Sequence, residues 1–153
     1  MKQCRFLCGI VSMIALLAGQ SDLFGCSCSA STLKEDFDHA SQVFLGRVIQ
    51  TWISYKVEKL NVTAEENIVT LEVLKSWKGI RTSRIQLKTN ACVPCCGIAF
   101  EAGMVYLVFS GKSETSQCSG TRRASQSEET LSPLGKPIWI NSDVQESTVP
   151  DEK

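Results

Sequence analysis

The placement of its cysteines constrains this chain more than any other feature. There are eight in 153 residues. Two of them, Cys4 and Cys8, lie in a start segment where Lys2 and Arg5 precede the apolar run "FLCGIVSMIALLAG", Phe6 to Gly19. That run falls short of the about 20 apolar residues needed to cross a bilayer, and basic residues followed by a short apolar run mark an export signal. Residues 1–25 are therefore expected to be a signal peptide, with the rest secreted to the extracellular side. A permanent membrane anchor is the competing reading, and the length disfavours it. Six cysteines remain: Cys26, Cys28, Cys92, Cys95, Cys96 and Cys118. An even number in an oxidising compartment reads as a disulfide framework. The spacing of Cys92 and Cys95 also fits a zinc ligand pair, but export puts disulfides ahead of zinc.

The charge balance removes several classes of function. Sixteen Lys and Arg face 16 Asp and Glu, for a net charge of zero. Neither nucleic acid nor an anionic membrane has an electrostatic reason to bind. His39 is the only histidine, so neither a His-based metal site nor a Ser-His-Asp triad is available. No nucleophile–base pair and no phosphate loop stands out. The expectation is a monomeric protein that is not an enzyme and carries no cofactor or metal of its own.

Periodicity gives the elements. In "STLKEDFDHAS", Ser31 to Ser41, Thr32 and Glu35 match a capping box, and Leu33, Phe37 and Ala40 share one helical face. A short helix is predicted, with Glu35, Asp36, Asp38 and His39 on its solvated side. The period then shortens to two in Gln42–Trp52, where Gly46 suggests a bulge, and again in Asn67–Trp77, Ser83–Thr89 and Met104–Gly111. The last run is apolar on both faces, as in a central strand. Lys136–Asn141 is a candidate late edge strand. Ser54–Asn67, which contains the glycosylation-type triplet "NVT", reads as a polar hairpin loop, and Gly111–Pro133 as a long polar loop in which Arg122 and Arg123 are solvated. No helix of crossover length separates the strands. The fold class expected is mainly β, a five-stranded OB-type Greek-key barrel over residues 26–141, with a two-sheet sandwich as the alternative. Residues 142–153 read as a polar tail.

Cys26 and Cys28 lie two residues apart on an extended segment, where a bond joining them would be strained and is disfavoured. Each is expected to reach a distant partner, one in the Cys92–Cys96 cluster and the other Cys118. The two cysteines left in the cluster can then close a tight Cys92–Cys95 loop. A redox or metal-handling role for "CVPCC", Cys92 to Cys96, lacks a following helix to lower a thiolate pKa.

The segments "CSCSASTLKEDFDHASQVFLGRVIQT", "VTLEVLKSWKG", "CCGIAFEAGMVYLVFSG" and "CSGTR" resemble, in order, the amino-terminal domain of the tissue inhibitors of metalloproteinases, within the wider netrin-like grouping. The resemblance covers most of Cys26 to Arg123 in a single-domain form and implies an OB-type barrel. By position it implies the pairs Cys26–Cys96 and Cys28–Cys118. It also implies a partner and a mechanism: the free amine and the carbonyl oxygen of Cys26 chelate the zinc of a target metalloproteinase and displace its catalytic water. Ser27 would enter the pocket beside that zinc, with Cys28 and Ser29 following. Val93, Pro94 and Cys95 would pack beside this wedge and contact the protease. The third disulfide of the animal inhibitors is missing, since no cysteine follows Cys28 within the helix region.

This mechanism needs Cys26 to be a chain terminus. Cleavage after Gly25 provides it, whereas Gly19-Gln20-Ser21 offers a competing site that fits the small-x-small rule better. A third reading is a netrin-like structural or adhesion module. "LFGC", Leu23 to Cys26, resembles a bacterial lipobox, and lipidation of Cys26 would make the chain a periplasmic or outer-membrane lipoprotein.

Overall fold

The computed structural model describes residues 25–58, 61–124 and 131–143. Residues 1–24, where the signal peptide was expected, and residues 144–153, expected as a polar tail, lie outside the described residues. Helix α1 (Leu33–His39) opens the fold, followed by β1 (Gln42–Glu58), β2 (Asn61–Lys78), β3 (Arg84–Asn90), β4 (Val105–Ser110), β5 (Arg122–Arg123) and β6 (Trp139–Ile140). The strands form one antiparallel sheet in the order β3-β2-β1-β4-β5, with β6 paired to β2.

The capping box of α1 forms as the sequence predicts. The Thr32 hydroxyl accepts the Glu35 N–H while the Glu35 carboxylate accepts the Thr32 N–H at 2.7 Å. The N–H of Thr32 holds the Glu35 carboxyl below its usual range, its hydroxyl adding to the effect. The opposite face of α1 carries Leu33, Phe37 and Ala40 onto the sheet.

The sheet is apolar on both sides in its middle because both sides are covered. Phe44, Val48, Val69, Leu71, Val73, Leu87, Tyr106 and Val108 form one core with Ile98 and Phe100 from the loop before β4. Val43, Leu45, Leu74, Trp77, Leu107 and Phe109 form the other, under α1 and Leu131. Successive residues of β1 and β4 therefore enter different cores, as the two-residue period of a strand requires. Each fully buried Leu, Val or Phe contributes about 1.5–3 kcal/mol. Gly46 sits at a register shift of the β1–β2 ladder. A Cβ there would approach Phe44 to 2.9 Å and Leu71 to 3.2 Å, so the first core demands the missing side chain.

Three expectations change. First, Ser54–Asn67 is not a loop: β1 and β2 continue as a two-stranded ribbon through Glu58 and Asn61, with Tyr55 opposite Ala64 and Val57 opposite Val62. Tyr55, Val57 and Val62 are exposed there, and without a core side the ribbon shows no inward-facing pattern to read. Second, the segment after β4 is shaped rather than loose. Arg122 and Arg123 form β5 and remain exposed, Arg123 pairs with Glu101, and the Arg122 guanidinium lies over the Phe109 ring. Third, six strands are present among the described residues, and their ladders do not close a barrel. Between β3 and the segment after β4 the described residues make one parallel bridge, Lys88 with Glu114. In it, Lys88 N–H donates to Ser113 O and Thr115 N–H to Lys88 O, both at 2.9 Å.

Candidate functional site

Three short segments meet at one end of the sheet: the extended chain from Gly25, the turn after β3, and the turn after β4. The turn after β3 is a single 3₁₀ turn, Val93–Cys95, with Pro94 in its first positions. The Asn90 side chain accepts the Cys92 N–H at 2.9 Å, and Cys92 O accepts from both Cys95 and Gly97 at 3.1 Å. Cys96 follows with φ 68°, the only positive φ outside glycine among the described residues. Next to it, Gly97 packs so closely that a Cβ would collide with the carbonyl oxygens of Asn90 and Cys92. The sharp reversal therefore aims Cys96 away from the core and back toward the amino-terminal segment.

The turn after β4 is built on hydroxyls. Ser116 and Ser119 make a reciprocal cap around the 3₁₀ turn Gln117–Ser119. Beneath it the Thr121 hydroxyl accepts the Phe109 N–H and donates to Phe109 O, each at 2.9 Å, and Thr115 donates to the same carbonyl. These side chains take the place of a backbone partner where β5 no longer pairs with β4. The two turns are joined by Gln117 N–H donating to Cys96 O at 3.0 Å.

The amino-terminal segment is fastened to both turns. Cys26 is bonded to Cys96 and Cys28 to Cys118, with Cα–Cα distances of 5.0 and 5.1 Å, while Cys92 and Cys95 close their own turn. Cys26 and Cys28 are not bonded to each other, although their Sγ atoms are 3.7 Å apart. The pairs are those that the resemblance implied, with the short Cys92–Cys95 loop beside them. Ser27 lies between two anchored neighbours and is exposed, as are Cys28, Ser29, Val93, Pro94 and Cys95. The structure thus brings all the residues named for protease contact to one edge. A cleft of about 470 Å³ is lined by Ser27, Cys28, Ser29, Asp36 and His39. A second, of about 380 Å³, is lined by Cys96 together with Glu65, Glu66, Lys88 and Glu114. Lys88 is bonded there to Glu66, which raises its pKa.

The sulfurs of Cys26, Cys28 and Cys118 lie within 4.8 Å of one another, the one group among the described residues close enough to share a metal ion. In the disulfide form they offer no thiolate. Sequence reasoning missed Asn90, Gln117 and the Thr115–Ser119–Thr121 hydroxyls, which hold the two turns. The usable signal was the alternation of Ser and Thr around Cys118 in "TSQCSGT", since a Ser three residues before another Ser can form a cap.

No model of a known protein family matches the chain, and no curated protein matches it.

Proposed function

We propose that the chain is a secreted inhibitor of zinc metalloproteinases with a netrin-like, OB-type fold. The observation that carries the reading is the double anchorage of the segment around Ser27. Both of its neighbouring cysteines are cross-linked to turns at the same edge, so an exposed three-residue wedge is held without a helix or strand of its own. Gly25 has open space around its Cα, so a terminus at Cys26 would stand clear of the fold. A pre-formed wedge loses little freedom on binding. The α-amine and carbonyl oxygen of Cys26 would chelate the protease's zinc, in place of the water the metal activates. Ser27 would enter the adjoining pocket, while Cys28, Ser29 and the Val93–Cys95 turn rest on the rim.

The Lys88–Glu114 bridge supports the OB-type reading. It lies where an OB barrel would pair its third strand with its last, in parallel. The bond from Cys26 to Cys96 supports an inhibitor over a lipoprotein, because a sulfur so engaged has none to give to a lipid. The adhesion reading keeps the same fold and differs only in the chemistry of the terminus.

Amino-terminal sequencing and intact mass of the exported protein test the premise. A free Cys26 is expected, and a diacylglyceryl mass or a start at Asp22 removes the mechanism. With Cys26 free, adding one alanine ahead of it should abolish inhibition of a zinc metalloproteinase while the circular dichroism stays unchanged. Equal inhibition by the extended form would show that the amine is not the ligand.

A further inference from the structure

We propose that, once its two long-range disulfides are reduced, the chain binds one Zn²⁺ through the four thiolates of Cys26, Cys28, Cys96 and Cys118. This site is independent of the inhibitory reading, since it uses sulfur rather than the terminal amine and needs no protease.

The argument is the placement of the four sulfurs. Between the two disulfides, Cys26 Sγ lies 3.7 Å from Cys28 Sγ and 3.6 Å from Cys118 Sγ, and Cys118 Sγ lies 3.9 Å from Cys96 Sγ. A tetrahedral zinc with Zn–S bonds of about 2.3 Å requires ligand sulfurs about 3.8 Å apart. Three edges of that tetrahedron already have the right length across pairs that are not bonded. Two more are the disulfides themselves, whose Cα atoms stand 5.0 and 5.1 Å apart. The sixth edge, Cys28 to Cys96, is the long one, because Cys96 falls outside the group of sulfurs within 4.8 Å of one another; closing it and separating each bonded pair both require the cysteine side chains to rotate.

Two of the four cysteines have supports that do not depend on the long-range disulfides, and the metal would draw in Cys26 and Cys28, whose segment is fastened through their sulfurs alone. Cys96 is fixed by the Val93–Cys95 turn and by its carbonyl bond from Gln117, and Cys118 by the Ser116–Ser119 cap. Cys28 and Cys118 are exposed and Cys26 and Cys96 half-buried, so both reductant and metal have access. Cys92 and Cys95 form a separate pair outside the cluster.

The chemistry balances in two steps. Each disulfide takes two electrons and two protons from a dithiol, which itself closes to a disulfide, giving four thiols. Zn²⁺ then displaces the four thiol protons to solvent and forms four Zn–S bonds. One metal thereby replaces both cross-links at the same place in the fold.

The test uses the full chain carrying Cys4→Ser and Cys8→Ser, so that only the six framework cysteines remain. It is reduced with a water-soluble phosphine, freed of reductant without oxygen, and titrated with Co²⁺. The expected result is one Co²⁺ per chain, with the intense visible bands of a tetrahedral tetrathiolate, bleached by stoichiometric Zn²⁺. The near-ultraviolet circular dichroism of the oxidised protein should return as metal is added. Cys92→Ser with Cys95→Ser should leave the bands intact, and Cys28→Ser with Cys118→Ser should remove them. The proposal is overturned if the parent chain gives no tetrathiolate bands, or gives them without regaining the native dichroism. Bands that survive loss of Cys28 and Cys118 but vanish with Cys92 and Cys95 would overturn it as well.

Discussion

The two long-range disulfides should be strongly non-additive in stability, because each shortens the loop that the other closes. Their sequence separations are 70 and 90 residues. Taken alone, loop closure of that size removes enough unfolded-chain entropy to stabilise by about 4.4 and 4.6 kcal/mol. With one bond in place, the other closes only the path from residue 26 to 28 and from 96 to 118, separations of 2 and 22 residues. The increment for a ring of that size is about 3.5 kcal/mol. Cys26→Ser with Cys96→Ser, or Cys28→Ser with Cys118→Ser, should each therefore destabilise by about 3.5 kcal/mol. Removing all four cysteines should destabilise by about 8 kcal/mol, so the second loss exceeds the first by about 1 kcal/mol. Equilibrium urea unfolding, followed by the fluorescence of buried Trp77, measures all three differences. If each pair alone were worth its full separate loop, or if the second loss were smaller than the first, the nested-loop reasoning would be refuted.

Thr121→Val leaves the Phe109 N–H without its hydroxyl partner in a buried setting and should lower stability by about 1–3 kcal/mol by the same assay; a neutral result would show that another acceptor reaches it. Gly97→Ala forces a methyl group against two carbonyl oxygens and should lower the melting temperature, with altered exchange at the Cys92–Cys96 amides, whereas an unchanged melting temperature would mean that the turn yields freely. The Glu35 carboxyl is held below its usual range by the Thr32 N–H, so its contribution is complete above the unfolded pKa and is lost as pH falls through the lower folded value. Carboxyl titration by NMR should find Glu35 below an ordinary glutamate, and Thr32→Ala should move it back up. Zinc-protease inhibition, by contrast, should strengthen as pH rises through the range of a free α-amine, about 7.7–8.0, because the proton competes with the metal; a flat profile across that range would contradict amine chelation.

Local signals carried a good part of the fold. Thr32 and Glu35 specify the start of α1 by themselves, since both partners of the capping box lie within one turn. Val69, Leu71 and Val73 mark an inward face, and the unbroken apolar run of β4 already required cover on both sides. Gly46 was readable as a bend, although its reason, the closeness of Phe44 and Leu71, is a contact between strands. The β1–β2 ribbon beyond Trp52 was not readable, because a strand pair with water on its sides shows no burial period. β5 was hidden as well: two exposed arginines carry no strand signal, and their pairing with Leu107 and Tyr106 of β4 is a contact between segments distant in the chain.

The sequence alone determined that six cysteines follow an apolar run, that Cys26 and Cys28 need distant partners, and which strands bury Val, Leu and Phe. These follow from composition and from the two-residue and 3.6-residue periods, which are properties of neighbours along the chain. Only the tertiary structure decided that the turns after β3 and β4 end side by side, with Ser27 exposed between two anchored cysteines and four sulfurs gathered within about 4 Å of their neighbours. That convergence depends on the twist and register of the whole sheet, and no local stretch of residues contains it.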